Sequence, residues 1–377
     1  MPGGRYPRNP AMSLLLVILL VCQPSRAQQK VAVDRKFTNV NLTRYGWQPS
    51  PTVHAREVDS LTSERIAVDD QGRVLVGFTM REPPNGLDTR LQPGLSFRVV
   101  RFGVNGEADL SLDLPTNNWL GNGVYLDEVG RIIARADDKL QMLTAPAEGL
   151  VEPSDWRTLA ACTATCRVNQ SPSRRTLYLH TWDANPPVTI LDAANPSIAT
   201  HCTVLPYGTY FVADDFAYSN QLGGSPPGTA EVIYHSPLCD SAQRSEVPIT
   251  SRSLPHPLND SLMLVKAARE LLVVRSLDGR TVVHAKLSTR EGAEVVWGDD
   301  TGDRFAAAVT VWRGGSWLLD IGSHRTARRV AVYETATGRE LITFPVTPRA
   351  LIDVAMSPDG HRIAVLANEI LTIADVP

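Results

Sequence analysis

No apolar run long enough to cross a bilayer follows residue 27 of this chain. No block of basic residues occurs either. Lys and Arg are mixed with a slight excess of Asp and Glu, for a formal net charge of −3, so nothing points to nucleic acid. The catalytic signatures that would be easiest to see are also missing. Gly-x-Ser-x-Gly is absent, which removes the usual nucleophile elbow of a propeller-capped serine hydrolase. His-Glu-x-x-His and Cys-x-x-Cys-His are absent, which removes the common zinc protease and c-haem readings. The eight histidines, at 54, 180, 201, 235, 256, 284, 324 and 361, include no two at metal-ligand spacing on one element. No cofactor is expected. Helical periodicity is missing too, and no segment reads as a long amphipathic helix.

Turn residues, by contrast, are abundant. Pro and Gly are 27 and 26 of the 377 residues, dense enough to punctuate strand after strand. The clearest stretch is Leu351–Val376. There Ser357-Pro358-Asp359-Gly360 makes a turn in which proline presets φ and glycine closes the bend. Arg362–Ala367 is then a short apolar strand, Asn368-Glu369 a second turn, and Ile370–Val376 a third strand.

Looser copies of this phrase recur upstream. They begin at Asp69-Asp70-Gln71-Gly72, Asp127-Glu128-Val129-Gly130, Ser171-Pro172-Ser173-Arg174, Tyr207-Gly208-Thr209, Asn259-Asp260-Ser261 and Asp299-Asp300-Thr301-Gly302. From Gly72 to Gly360 the spacing averages roughly 48 residues, a period typical of propeller blades. Hairpins fill the intervals: Leu271–Arg275 with Thr281–Leu287 across Asp278-Gly279, and Arg329–Tyr333 with Arg339–Phe344 across Thr337-Gly338. The expectation is an all-β, seven-bladed β-propeller over 57–377, with six or eight blades as the alternatives because the middle phrases are weak. The last unit supplies only three strands. One of two N-terminal segments, Val31–Val33 or Phe37–Leu42, is expected to pair with Ile370–Val376 and close the ring, because an open outer edge invites association.

The first 27 residues read differently. Arg5 and Arg8 precede the apolar run Leu14–Val21, and Ser25-Arg26-Ala27 places small residues at the −3 and −1 positions. That is a secretory signal peptide over 1–27, leaving 28–56 as an N-terminal segment that includes the closing strand. The expected location is secreted or periplasmic. Lipid anchoring at Cys22 is the alternative, disfavoured because Val21 stands where a small residue is wanted.

Four cysteines remain after cleavage: Cys162, Cys166, Cys202 and Cys239. An even number in an exported chain favours disulfides, and Cys162 and Cys166 lack the companions of a zinc site. The pairing favoured from sequence is Cys166–Cys202, each lying shortly before a comparable module.

The Ser-Pro-Asp-Gly turn with Ile370-Leu371-Thr372-Ile373-Ala374-Asp375, and Val332-Tyr333-Glu334-Thr335-Ala336-Thr337-Gly338-Arg339, resemble a WD40-type blade. The Gly-His and Trp-Asp dipeptides of intracellular repeats are mostly missing, and Trp182-Asp183 is the single Trp-Asp. The resemblance is to the exported bacterial members of the WD40/YVTN group.

Three stretches are candidate sites. Asp299-Asp300-Thr301-Gly302-Asp303 packs three carboxylates into five residues, but Gly314 and Gly315 stand about where a calcium loop needs its bidentate glutamate. A solvated turn is the better reading. Thr337-Gly338-Arg339-Glu340-Leu341-Ile342 stops short of a quinoprotein docking motif, because Ile342 replaces the tryptophan. Trp312 and Trp317 bracket Gly314-Gly315 and form the candidate ligand-binding surface for a sugar or peptide. The functional expectation is a non-catalytic scaffold for a protein or glycan partner. The alternative is a propeller enzyme of lyase, lactonase or glycosidase type, with carboxylates or histidines converging on an axial site.

Overall fold

Second strands carry the architecture. In the strand Arg362–Ala367 alternate side chains enter two different cores. Ile363 and Val365 join a cluster with Val330, Val332, Ile342 and Phe344, whereas Ala364 and Leu366 join one with Val74, Val76, Phe78 and Phe102. The same split occurs at Leu75 between Val74 and Val76, at Ile133 between Ile132 and Ala134, and along Phe305–Val309. A strand with both faces covered has no reason to alternate polar and apolar residues, which is why these segments read as continuous apolar runs. Outer strands have one face in water and do alternate. In Ala108–Thr116, Leu110, Leu112 and Leu114 are buried while Asp109, Ser111 and Asp113 are exposed.

The computed structural model describes residues 37–47, 65–80, 95–116, 123–136, 138–144, 155–162, 166–181, 188–193, 195, 199–202, 209–212, 214, 216–219, 229–235, 242–248, 256–267, 270–275, 280–287, 291–299, 301–313, 324–347 and 352–377. Four-stranded antiparallel sheets succeed one another along the chain. Blade 1 is Ile66–Val68, Val74–Met80, Leu95–Phe102 and Ala108–Thr116. Blade 2 is Gly123–Leu126, Ile132–Ala136, Lys139–Leu143 and Trp156–Ala161. Blade 3 is Cys166–Gln170, Thr176–Thr181, Val188–Asp192 and Ala199–Cys202. Blade 4 is Thr209–Val212, Phe216–Ser219, Thr229–His235 and Ala242–Pro248. Blade 5 is His256–Pro257, Leu262–Ala267, Glu270–Arg275 and Thr281–Lys286. Blade 6 is Glu291–Gly298, Arg304–Arg313, His324–Glu334 and Glu340–Val346.

Counted as runs of four consecutive strands, the chain makes six blades where the sequence count gives seven. The remaining sheet is composite: Ile352–Met356, Arg362–Ala367 and Ile370–Asp375, with Thr38–Asn41 added along the outer edge. The reason is covalent order: the fourth position of this sheet is filled from the far end of the sequence, not by the next strand along the chain. We call this the closing sheet. Its first strand neighbours those of blades 6 and 1, so the ring is continuous. Among the described residues, no helix is long and apolar enough to cross a membrane.

The borrowed strand is held from three sides. Thr38, Asn39, Val40 and Asn41 pair antiparallel with Ile373, Thr372, Leu371 and Ile370, and Thr372 Oγ1 donates to Asn39 Oδ1 at 2.8 Å. Val40 is buried in the core shared with blade 1. The outer turn of blade 1 rests on the strand so closely that a β-carbon on Gly106 would lie 2.4 Å from Thr38 Cγ2. Asn41 then caps a 3-10 turn, Leu42–Tyr45, by accepting from the Thr43 amide at 3.0 Å. Of the two N-terminal candidates, Phe37–Leu42 supplies the pairing. Val31–Val33 lies outside the described residues.

Two further expectations are corrected. The fourth phrase is one strand out of phase: Thr209–Val212 is the first strand of blade 4, not its second, and the turn that follows carries Asp214. Cys166 meets Cys162, not Cys202, with sulfurs 2.18 Å apart and a Cα–Cα distance of 5.1 Å. Cys166 and Cys202 sit on the first and fourth strands of one sheet. Three strand spacings are about 14 Å, beyond the reach of a disulfide.

Candidate interaction face

Turns joining the first and second strands lie at one end of the ring, and in blades 1, 2, 3, 5 and 6 and the closing sheet they share a device. A residue just past the first strand folds its side chain back onto the turn's own amides. Asp69 Oδ1 accepts from Gln71 N at 3.0 Å and Arg73 N at 2.8 Å, while Oδ2 takes Arg73 Nε at 2.6 Å. Asp127 does the same for Val129 N and Arg131 N, at 3.1 and 2.7 Å, and pairs with Arg131 Nε. Ser171 Oγ accepts from Thr176 N, Asn259 Oδ1 from Ser261 N and Leu262 N, Asp299 Oδ2 from Arg304 N, and Ser357 Oγ from Arg362 N. Asp69, Asp127, Ser171, Asp299 and Ser357 are buried for this purpose. Short polar side chains are needed here because only they reach an amide two to five residues on.

Polar bridges then join turn to turn around the ring. Arg362 Nη1 donates to Gly72 O at 3.3 Å, and Arg304 Nη1 donates to Gly360 O at 2.7 Å. Asn259 Nδ2 donates to Thr301 O at 2.9 Å, and Asp214 N to Asp260 Oδ1 at 3.0 Å. Ser173 Oγ and Thr176 Oγ1 both donate to the Asp214 carboxylate, at 2.5 and 2.7 Å. Gln170 Nε2 donates to Leu126 O at 2.6 Å, and Arg131 Nη2 to Ala193 O at 3.2 Å. Among the described residues, six of the seven boundaries between sheets therefore carry a hydrogen bond near this end.

Arg174 acts on the ring as a whole. Its backbone is left-handed (φ 64°), its side chain is 9% exposed, and its Nη2 donates to Met356 O at 3.3 Å. Blade 3 and the closing sheet are not neighbours in the ring, so this contact spans the central opening.

Outward, the face shows Asp70, Glu128, Asp260, Asp303 and Asp359 to solvent, with Val129 66% exposed at the tip of the blade 2 turn. Arg175 also faces water, 3.5 Å from Glu128. The carboxyl of Asp299 is pushed up to about 7 by burial, opposed by hydrogen bonds from Gly302, Thr301 and Arg304. It has no exposed surface, so it cannot meet a solute. Among the described residues, no group of three or more His, Cys, Asp or Glu side chains is arranged to hold a metal ion. The face presents charged and hydrogen-bonding groups to solvent.

At the opposite end, Arg65 Nε lies 2.5 Å from the buried Asp353 Oδ2, and its guanidinium stands 5.9 Å from the Trp47 ring. Trp47 packs edge-on against Phe78 at 5.4 Å. This cluster pins the seam between the closing sheet and blade 1.

Of the residues singled out from sequence, Trp312 pairs through its backbone with Arg325, but its side chain and all of Trp317 lie outside the described residues. The Asp299–Asp303 run is a capped turn. Sequence reasoning missed Asp69, Asp127 and Asp299 as buried acceptors, and it missed Arg174 altogether. The available signal was the recurrence of Asp, Asn or Ser as the first residue of six of the seven phrases, the exception being Tyr207.

No protein-family model matches the chain, and no curated protein matches it by sequence. Solved structures do resemble it. The Raptor structure from Chaetomium thermophilum is similar with TM-score 0.54 and 11% identity, covering 90% of this chain and 28% of that one. A chain of a mitotic checkpoint complex gives 0.52 and 12%, covering 91% and 94%. The C-terminal WD40 domain of Sif2 gives 0.46 and 10%, covering 84% and 98%. At these identities the likeness to the Raptor and mitotic checkpoint complex chains is one of fold alone.

Proposed function

We propose that the chain is an exported propeller that serves as a docking scaffold for a protein partner and performs no chemistry of its own. The observation that carries this reading is the belt of capped and bridged turns, closed across the axis by Arg174. Such a face is preorganised, so a partner meets groups already held in place and little ordering entropy opposes binding. Structures of similar fold include a chain from a mitotic checkpoint complex, a propeller in an assembly. Export rests on Arg5, Arg8, the run Leu14–Val21 and the small residues Ser25 and Ala27, with residues 1–27 removed and the propeller following. The bacterial WD40/YVTN group remains the proposed kinship, on the turn phrases.

The test is crosslinking of the tagged full chain in its own host, followed by identification of the captured protein. Substituting Asp70, Glu128 and Asp303 together by Lys should abolish capture without changing the unfolding midpoint. Capture unaffected by that triple change moves the docking face to the opposite end. Trp312 and Trp317 are the proposed stacking residues of a second reading, and loss of glycan or peptide binding in Trp312→Ala would support them. Turnover of an ester or glycoside by the purified chain would replace the scaffold reading with the enzyme one.

A further inference from the structure

Arg304 begins the second strand of blade 6 and reaches beyond its own blade in two directions. Nη1 donates to Gly360 O at 2.7 Å and lies 2.9 Å from His361 Nδ1. Nη2 donates to Pro377 O at 3.0 Å. His361 in turn accepts the Val376 amide through its carbonyl at 2.7 Å. One guanidinium and one histidine therefore hold residues 376–377 and the turn of the closing sheet against blade 6.

The contact with Nδ1 carries a chemical condition. A guanidinium is a donor only and keeps its proton in proteins. The ring nitrogen facing it must supply a lone pair, so the imidazole is neutral and carries its hydrogen on Nε2. A proton on Nδ1 would set donor against donor and cation against cation.

We propose that Arg304 and His361 form a proton-operated clasp at the boundary between blade 6 and the closing sheet: the neutral ring accepts from Arg304 and holds residues 376–377 in place, and the protonated ring releases Arg304 and turns to Asp359. The other charged groups at this boundary fit that exchange. Asp359 sits two residues before His361, and its Oδ1 already accepts the His361 amide at 3.0 Å and the Ser357 hydroxyl at 2.5 Å. Burial pulls the Asp359 carboxyl up, but the Ser357 hydroxyl, the His361 amide and a nearby imidazolium pull it further down, so it stays charged as the ring protonates. Arg362 is committed to Asp375 at 2.6 Å and Gly72 O at 3.3 Å. From blade 6, Asp303 is exposed and Asp299 is shut in beneath the turn, the latter titrating near 7. The Pro377 oxygen completes the set. Asp299 is thus the competing source of any acid response, and the experiment separates the two.

The full chain, labelled with 15N, is followed at about pH 7.5 and about pH 5.5, across the range in which histidine ordinarily titrates. The expected neutral tautomer of His361 is Nε2–H, read from its ring nitrogen shifts. The expected protection factor of the Val376 amide falls about tenfold on acidification, the worth of one good hydrogen bond. His361→Asn keeps an acceptor near the Nδ1 position without titrating and should hold protection constant, while Asp299→Asn should leave the fall intact. An Nδ1–H tautomer, protection independent of pH, a response that survives in His361→Asn, or one abolished by Asp299→Asn overturns the clasp. The tautomer measurement needs no variant and decides the matter even where a substitution prevents folding.

Discussion

A carboxyl group shut away from water holds its proton longer, and Asp299 is such a group. Its folded pKa of about 7 stands above the ordinary 3.8. A raised acid pKa contributes stability that is fully present below the unfolded value and is lost as pH rises through the folded one. The chain should therefore lose stability between about pH 4 and pH 7 through this residue, with a slope of at most roughly 1.4 kcal/mol for each step of one in pH. Urea midpoints of wild type and Asp299→Asn across that range check it: the variant's curve should be flatter, and parallel curves would remove Asp299 as the cause. Gly360 sits against the same carboxyl. Its φ is +67°, and a β-carbon there would fall 2.4 Å from Asp299 Oδ2 and 3.0 Å from Arg304 Cδ. Gly360→Ala should cost at least about 2 kcal/mol, combining left-handed strain with displacement of a buried neighbour. Thermal unfolding measures it, and a loss below half that value would mean the turn shifts freely.

At the scale of elements, the closing strand is the segment on which the ring depends. Leu42 follows it, fully buried in the core between the closing sheet and blade 1, and its amide donates to Glu369 O at 2.9 Å. Leu42→Ala should cost about 2–5 kcal/mol. Hydrogen exchange should show the loss first at Ile370–Asp375, whose outer edge the strand covers. Uniform loss over all blades would instead mean that the ring unfolds as one unit. This element was legible in the sequence because three terminal strands leave one edge bare and strand-like residues remained at the other end. Blade 4 was not legible in phase. Tyr207-Gly208 imitates the glycine of a turn, while the true turn at Asp214 has no glycine or proline to mark it. The buried acceptors were half legible. Asp, Asn or Ser opens every phrase but the fourth, yet nothing in a single sequence distinguishes a carboxylate folded inward onto amides, such as Asp127, from one facing water, such as Glu128. Arg174 was not legible at all, since its partner Met356 is 182 residues away and is reached only once the ring has formed.

For the molecule as a whole, that one arginine ties opposite sides together. Arg174→Ala removes a charge-assisted hydrogen bond and keeps the left-handed strain, at an expected cost of about 2–3 kcal/mol. Arg174→Gly relieves the strain, which offsets about 1 kcal/mol of that loss. Denaturant midpoints in the order wild type, Gly, Ala are the expected result, and an Ala variant as stable as wild type would mean that the bridge across the axis contributes nothing.

The sheet shared by distant parts of the chain also sets a timetable. Asn39 is synthesised 333 residues ahead of Thr372, the residue it faces across the closing pair of strands. While those intervening residues are being made, the early strand has nowhere to go, and blade 1 lacks the neighbour that covers one of its faces. A chain in that condition stays open, which suits the proposed export, since a translocation pore admits a chain before it has folded.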